Sequence, residues 1–314
     1  MIIIKQYSPS DKIIWNEFVK LIKSEHFFFY REYMDYHSER FKDHSLMFFD
    51  EKNTLLALLP ANISDNIIYS HQGLTFGGLL MKASAKQKDI LEIFYAIKEY
   101  LKSENYISLI YKKIPYIYNN IPNDEDLYGL FKINAKLFRR DISSTIKIKN
   151  QIKYSKGRKW IVKKAKDNEL VYSRTEKIDD FWENLCNVLS DNHNVKPIHS
   201  LQEIKYLYEK FPNNIKFYTT THNSRLVSGA VIFEVSDVAH TQYLYNTHEG
   251  REVGALDGLI DYLVKEVYSS KEYFDFGISN ENQGQVLNEG LIAQKEGFGA
   301  RAVAHDFFEI KSND

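Results

Sequence analysis

Cysteine is almost absent, with Cys186 standing alone among 314 residues. One thiol excludes an intramolecular disulfide and any cysteine-based metal cluster, and it fits a reducing compartment. It falls in Phe181-Trp-Glu-Asn-Leu-Cys186, where helical spacing makes it a small core residue. Long apolar runs are missing too. No stretch reaches the roughly 18 residues of a membrane span. Met1-Ile-Ile-Ile is too short for a signal peptide and reads as a first strand. A cytoplasmic protein with no membrane span is expected. Neither sign of charge dominates: the formal net charge is −1, which gives no global attraction for nucleic acid. The ten histidines lack ligand-type spacing, so no metal is expected.

What is present is a full complement of core-forming side chains, 44% of the chain, and a length comfortable for two domains of about 150 residues. Periodicity predicts a strand at 2–6, helices at 10–23 and 30–42, and strands at 45–50, 54–62 and 66–70. A helix at 86–103 and the apolar strand 106–111 follow, with a last strand near 142–149. The second half predicts a strand at 170–174, helices at 177–191 and 200–210, and strands at 215–221, 226–235 and 238–245. It closes with helix 251–268, strand 273–277, helix 285–296 and strand 301–310. One order is complete in the second half, strand, two helices, three strands, helix, strand, helix, strand, and the first half follows it up to residue 111, beyond which Pro115 and Pro122 interrupt the pattern before the last strand. The expectation is an α/β protein with mixed sheets and two domains, 1–152 and 153–314. Residues 153–166 carry seven cations: Lys153, Lys156, Arg158, Lys159, Lys163, Lys164 and Lys166. They read either as a solvated helix face or as a phosphate-contacting patch.

Several segments carry groups suited to chemistry. The turn Asn246-Thr-His-Glu-Gly250-Arg251-Glu-Val-Gly254-Ala255-Leu256 joins a strand to a long helix. Helix N-terminal amides favour negative charge, and glycine allows close backbone approach. Strand alternation puts His240, Gln242 and Leu244 on one face, with Thr241, Tyr243 and Tyr245 on the other. Asp275 sits in the apolar run Phe274-Asp-Phe276, where a carboxylate needs a partner or a raised pKa, and is a candidate base. Near the end, strand, polar turn and helix bring in Asn280, Asn288 and Lys295, with Asn288, Ile292 and Lys295 on one helical stripe. In the first half, Ser70-His71-Gln-Gly73-Leu-Thr-Phe-Gly77-Gly78 offers His71 as a general base. Arg139 and Arg140, before Asp141, Ser143 and Ser144, suit bidentate recognition of a carboxylate or sugar phosphate, or else an internal Arg–Asp pair.

The ending Lys295-Glu-Gly-Phe-Gly299 resembles the closing motif of the GNAT (Gcn5-related N-acetyltransferase) fold. The segment from Tyr273 to Arg301 resembles the C-terminal half of Fem-type aminoacyltransferases and their relatives in bacterial surface-polysaccharide gene clusters. The resemblance implies two tandem GNAT-like domains and an N-acyltransferase activity. It implies a donor site at Arg251-x-x-Gly254 and Ala255, with Asn280 and Asn288 nearby, although Leu256 stands where GNAT enzymes have Gly or Ala. It places Lys295 where the Fem lysine meets donor phosphate or charge at the reacting carbonyl. Ala293 replaces the tyrosine that serves GNAT enzymes as general acid. Gly77, Gly78, Arg139, Arg140, Gln242 and Tyr243 fall to the acceptor. No tightly bound cofactor is implied; acyl-CoA or aminoacyl-tRNA would be the co-substrate, so tRNA is a candidate partner. The acceptor would be an amino sugar, small or nucleotide-linked, destined for a surface polysaccharide. Two alternatives stay open: a peptidoglycan-precursor aminoacyltransferase using aminoacyl-tRNA, and a non-catalytic GNAT-like binding module.

Overall fold

The computed structural model describes every residue except 25 and 314, and every side chain except those two and 192 and 193. The first part of the chain forms β1 (Ile3–Gln6), α1 (Lys12–Val19), α2 (Arg31–Met34), β2 (Leu46–Phe49), β3 (Leu55–Leu59), β4 (Asn62–Ser64), β5 (Ile67–Tyr69) and β6 (Leu80–Met81). It continues through α3 (Gln87–Ser103), β7 (Ser108–Lys112), α4 (Glu125–Lys132) and β8 (Lys136–Lys147). Then come α5 (Lys156–Asp167), β9 (Val171–Thr175), α6 (Ile178–His193), α7 (Leu201–Lys210), β10 (Ile215–His222), β11 (Arg225–Val235) and β12 (Val238–Asn246). The chain ends with α8 (His248–Val253), α9 (Ala255–Tyr262), β13 (Tyr273–Ile278), β14 (Asn280–Glu281), β15 (Val286–Leu287), α10 (Glu289–Gly297) and β16 (Arg301–Lys311). Among the described residues, no helix is long and apolar enough to cross a membrane.

Two compact units result. The first comprises Met1–Asp141, Asn282–Gln285 and Ala304–Asp314; the second, Ile142–Glu281 and Val286–Val303. A single division after residue 152 therefore does not describe the chain. The strand expected at 142–149 starts earlier, at Lys136, and the chain's last strand supplies β7 with a partner, Phe307–Lys311 running antiparallel to Ser108–Lys112.

In the first unit, β1-β2-β3-β6 form one sheet, and β4, β5, β7 and β16 are successive neighbours in a second. β5 and β7 are parallel, so the chain must cross over between them, and α3 is that crossover. Its residues Ile90, Ile93, Phe94, Ile97 and Leu101 recur at three- and four-residue steps and are all buried, packing with Phe48, Leu59, Leu109 and Ile310. Each such burial contributes about 1.5–3 kcal/mol before conformational entropy is subtracted.

In the second unit the strand order is β8-β13-β12-β11-β10-β9. β9 to β12 form an antiparallel run, and β12 and β13 are parallel, bridged by α8 and α9. β11 reads as a continuous apolar run because it is covered on both faces. Ala230 and Ile232 meet Leu259, Ile260 and Leu263, whereas Gly229 lies against Phe181 of α6. The helix expected over 251–268 is instead two helices broken at Gly254, followed by a π-helical turn at Leu263–Val267. The helix expected at 285–296 begins at Glu289, because the short β14–β15 hairpin precedes it. The helix expected at 30–42 shrinks to Arg31–Met34 and a 3₁₀ turn.

Candidate functional site

β12 and β13 stay paired for only three positions, Val238 with Tyr273, Ala239 with Phe274 and His240 with Asp275. β12 then continues beside β11 to Asn246, without further pairing to β13, so the parallel strands open into a fork. A buried polar cluster sits where they part. His240 Nδ1 lies 2.8 Å from Asp275 Oδ2. Asp275 Oδ1 accepts from Ser143 Oγ at 2.5 Å and from Thr145 Oγ1 at 2.8 Å. Asp275 is fully buried, so it has no direct access to an incoming amine and is not itself the base anticipated from sequence. Its geometry suits a supporting role instead, orienting the His240 ring and stabilising the imidazolium if that ring takes a proton.

Sequence alternation missed His240 as Asp275's partner and misplaced its neighbours. A β-bulge at Gln242 puts Val231 opposite Tyr243 but Ile232 opposite Thr241. The extra residue re-phases the strand, so Tyr243 and Tyr245 join His240's face and Leu244 turns toward the α9 side. Tyr243 packs against Trp182 and its hydroxyl lies 2.6 Å from His199 Nδ1. Ser143 and Thr145 share a strand face by alternation, but only the pairing of β8 with β13 brings them to Asp275.

Lys295 is 6% exposed, and its three ammonium hydrogens are all in use. They go to Gly277 O at 2.9 Å, Ile278 O at 2.8 Å and Ser279 Oγ at 2.9 Å. Burial lowers its pKa to about 8, against the opposing pull of Asp275. This lysine clamps the end of β13; to meet a donor phosphate, as the resemblance implies, it would have to exchange one of these bonds.

Beyond the fork lies a cleft of about 720 Å³. Its walls include Leu244, Tyr245 and Asn246 of β12, Arg251 and Gly254 of the glycine turn, Leu291 and Gln294 of α10, and Trp160 and Lys164 of α5. Tyr245 is buried on its floor, and its hydroxyl has no hydrogen-bond partner. Gly254 has φ +74°, closing α8 and opening α9, and a Cβ there would stand 2.9 Å from Ile161 O. The glycine therefore serves the close packing of α5 as much as any ligand. Ala255 is wholly buried with Val227 and Val253 and does not line the cleft. Arg158 pairs with Asp257 and reaches Gln294 O at 3.4 Å, tying α5 to α9 and α10. Burial raises the Asp257 pKa, while Arg158 opposes that shift.

The two asparagines expected at the donor make hydrogen bonds within the protein. Asn280 Oδ1 accepts from Ile142 N at 2.6 Å. Asn288 caps α10, accepting from Leu291 N at 2.9 Å and donating to Glu281 at 2.7 Å.

The remaining candidates belong to the first unit. His71 is buried at φ +71°, its ring stacked 5.1 Å from that of His37, and its Nδ1 accepts from Gly73 N. Burial, with help from His37 and Lys112, pushes its pKa well below the usual range, so the ring is neutral. Gly77 and Gly78 pack against Ser70 O and Lys112 O. Arg139 is paired with Asp141 at 2.7 Å, and Arg140 makes a bidentate pair with Asp306 at 2.5 and 2.7 Å. Both guanidinium groups thus have internal carboxylate partners in place of a substrate's.

No family model matches the chain, and no curated protein matches it by sequence. Solved structures do. FemX superposes with a TM-score of 0.67 at 9% identity, over 98% of this chain and 97% of that one. L-PGS from Bacillus licheniformis gives 0.59 at 12%, over 90% and 92%. A tandem GNAT protein from the clavulanic acid biosynthesis pathway gives 0.54 at 9%, over 100% and 99%. At these identities the likeness is one of fold: the chain has the tandem GNAT-like architecture, a mixed α/β arrangement that these structures share.

Proposed function

We propose that this chain is an N-acyltransferase whose second unit holds an acyl or aminoacyl donor and passes its acyl group to an amine. The observation that carries the reading is the cleft of about 720 Å³, where Arg251 and Gly254 of the glycine turn share a wall with Leu291 and Gln294 of α10. Tyr245 on its floor shares a face of β12 with His240 and is five residues from it, roughly 15 Å of extended chain. That is a reach suited to a long donor arm running from the cleft to the polar cluster. Arg251 and Lys164 at the rim favour an anionic carrier, which both acyl-CoA and aminoacyl-tRNA provide.

In this reading His240 takes a proton from the acceptor amine, with Asp275 stabilising the resulting imidazolium. The amine nitrogen bonds to the donor carbonyl carbon, and the tetrahedral intermediate collapses with loss of the carrier. The carrier leaves as a thiol from acyl-CoA, or as a ribose hydroxyl from aminoacyl-tRNA, after regaining a proton. The bulged, unpaired edge of β12 supplies backbone amides suited to the oxyanion. Following the resemblance of the C-terminal segment to the surface-polysaccharide relatives, the acceptor is an amino sugar of a polysaccharide precursor.

Calorimetric titration with acetyl-CoA, and separately with aminoacyl-tRNA, tests the donor. Mass spectrometry of an amino sugar incubated with the donor that binds tests the transfer. Binding of one donor, weakened about tenfold by Arg251→Ala, is expected from loss of a charge-assisted contact. If neither donor binds, the assignment fails. Donor binding without transfer to any amine would leave a binding module instead.

A further inference from the structure

The basic stretch of α5 carries one residue that its charge does not explain. Trp160 is 64% exposed, although an indole offers one of the largest apolar surfaces a side chain can bury. The other two tryptophans of the chain, Trp15 and Trp182, are both buried. Trp160 stands on the wall of the cleft of about 720 Å³, together with Ile161 and Lys164 from the same helix. Leu291 of α10, itself 37% exposed, and the half-buried Val188, Leu189 and Leu244 line that cleft too. The indole is therefore part of a shared apolar lining, and such a patch marks a binding surface where a single stray residue would not. Lys164 sets its ammonium 5.5 Å from the centre of the indole ring, and Arg251 lines the same cleft. On β12 the cleft begins at Leu244, past the point where that strand parts from β13 at His240. With transfer at His240, what fills the cleft is the carrier of the acyl group.

We propose that Trp160 stacks against the adenine base of the donor's carrier, with Lys164 and Arg251 meeting the phosphates beside it. The inference rests on the acyl-transfer reading and names the part of the donor that the cleft recognises. Both carriers allowed by that reading contain adenosine: coenzyme A ends in one, and an adenosine closes the acceptor end of tRNA. A purine has two flat, weakly hydrated faces and a polar edge, so it matches an indole with aliphatic neighbours on one side and solvent on the other. Stacking of a base on an aromatic side chain is worth about 1–3 kcal/mol, whereas cations alone hold a phosphate without regard to what it carries. The two carriers place the base differently. In acyl-CoA the adenine lies at the far end of the pantetheine arm from the carbonyl, and in aminoacyl-tRNA it is one ribose away.

The full chain is titrated calorimetrically with coenzyme A and with phosphopantetheine, which keeps the arm and lacks the adenosine. An RNA minihelix ending in CCA, and the same RNA without its terminal adenosine, cover the other carrier. Because Trp15 and Trp182 are buried, quenching of the long-wavelength tryptophan emission reports Trp160. Trp160→Ala removes the stacking surface and Trp160→Phe keeps part of it; melting curves check that both fold. For a coenzyme A carrier, binding should quench the emission and weaken about tenfold in Trp160→Ala, and less in Trp160→Phe. Phosphopantetheine should bind the parent and both variants alike. For a tRNA carrier, loss of the terminal adenosine should cost the parent about tenfold and Trp160→Ala nothing. The stacking is overturned if the parent binds a carrier and Trp160→Ala binds it equally well. It is also overturned if Trp160→Ala weakens phosphopantetheine as much as coenzyme A; the donor reading survives either result. If neither coenzyme A nor the complete minihelix binds the parent, the donor reading itself has failed and the stacking falls with it.

Discussion

Asp275 was conspicuous in the sequence because a carboxylate between two phenylalanines needs an explanation, and the explanation is three neighbours, His240, Ser143 and Thr145. In the proposed reaction it supports His240 in place of accepting the proton itself. His240→Gln should lower acyl transfer by about a hundredfold or more while moving the melting midpoint little. An unchanged kcat would remove His240 from the reaction. Lys295 gives a prediction about pH. Its pKa is lowered from the ordinary lysine value to about 8 in the folded protein. Above pH 8 the unfolded chain holds the proton longer than the folded one, so stability should rise with pH toward the ordinary lysine range. Lys295→Met should lack that rise, and denaturant titrations at several alkaline pH values compare the two; parallel curves would contradict the assignment. His71 works in the acid range. It is neutral when folded and chargeable when unfolded, so it contributes a loss of stability as pH falls below about 6.5. His71→Asn, which tolerates the left-handed backbone, should flatten that acid limb, as denaturant midpoints between pH 5 and 7 would reveal.

At the scale of elements, the cleft depends on where helices and strands are interrupted. The long helix expected after β12 breaks at Gly254, whose φ of +74° closes α8 and starts α9 beside Arg251. Gly254→Ala combines left-handed strain with a Cβ 2.9 Å from Ile161 O, and should cost about 2–3 kcal/mol. Chemical denaturation measures it; a loss within error would mean that α5 yields without cost. The bulge at Gln242 acts similarly on β12, since one inserted residue exchanged the faces assigned to every side chain beyond it. Alternation was therefore legible only up to the bulge. The glycine turn and α10 were recognisable as elements, and they do line one cleft. The hairpin Asn280–Leu287 between β13 and α10 was not, because two-residue strands carry no periodicity to detect.

Across the whole molecule, the repeated order of elements was readable because each helix and strand has its own period. The crossover between parallel strands recurs in both units, β5 to β7 through α3 and β12 to β13 through α8 and α9. The division of the chain was not readable. The first unit takes back Asn282–Gln285 and Ala304–Asp314 from the end of the sequence. A fragment of residues 1–152 should therefore fail to fold: β7 loses its β16 partner and the core loses Ile310. A cooperative melt from that fragment would contradict this. Local pattern alone determined the class of fold, the order of its elements and the residue types available for chemistry, since period and turn chemistry act over a few neighbours. Only the tertiary structure decided that Ser143 and Thr145 reach Asp275, that Lys295 gives its hydrogens to two carbonyls of β13 and the Ser279 hydroxyl, that Arg139 and Arg140 have internal partners, and that Tyr154 lies among lysines far apart in sequence. Hydrogen bonds and charges act through space, and which distant residues become neighbours is set by strand pairing and helix packing that no short window of sequence contains.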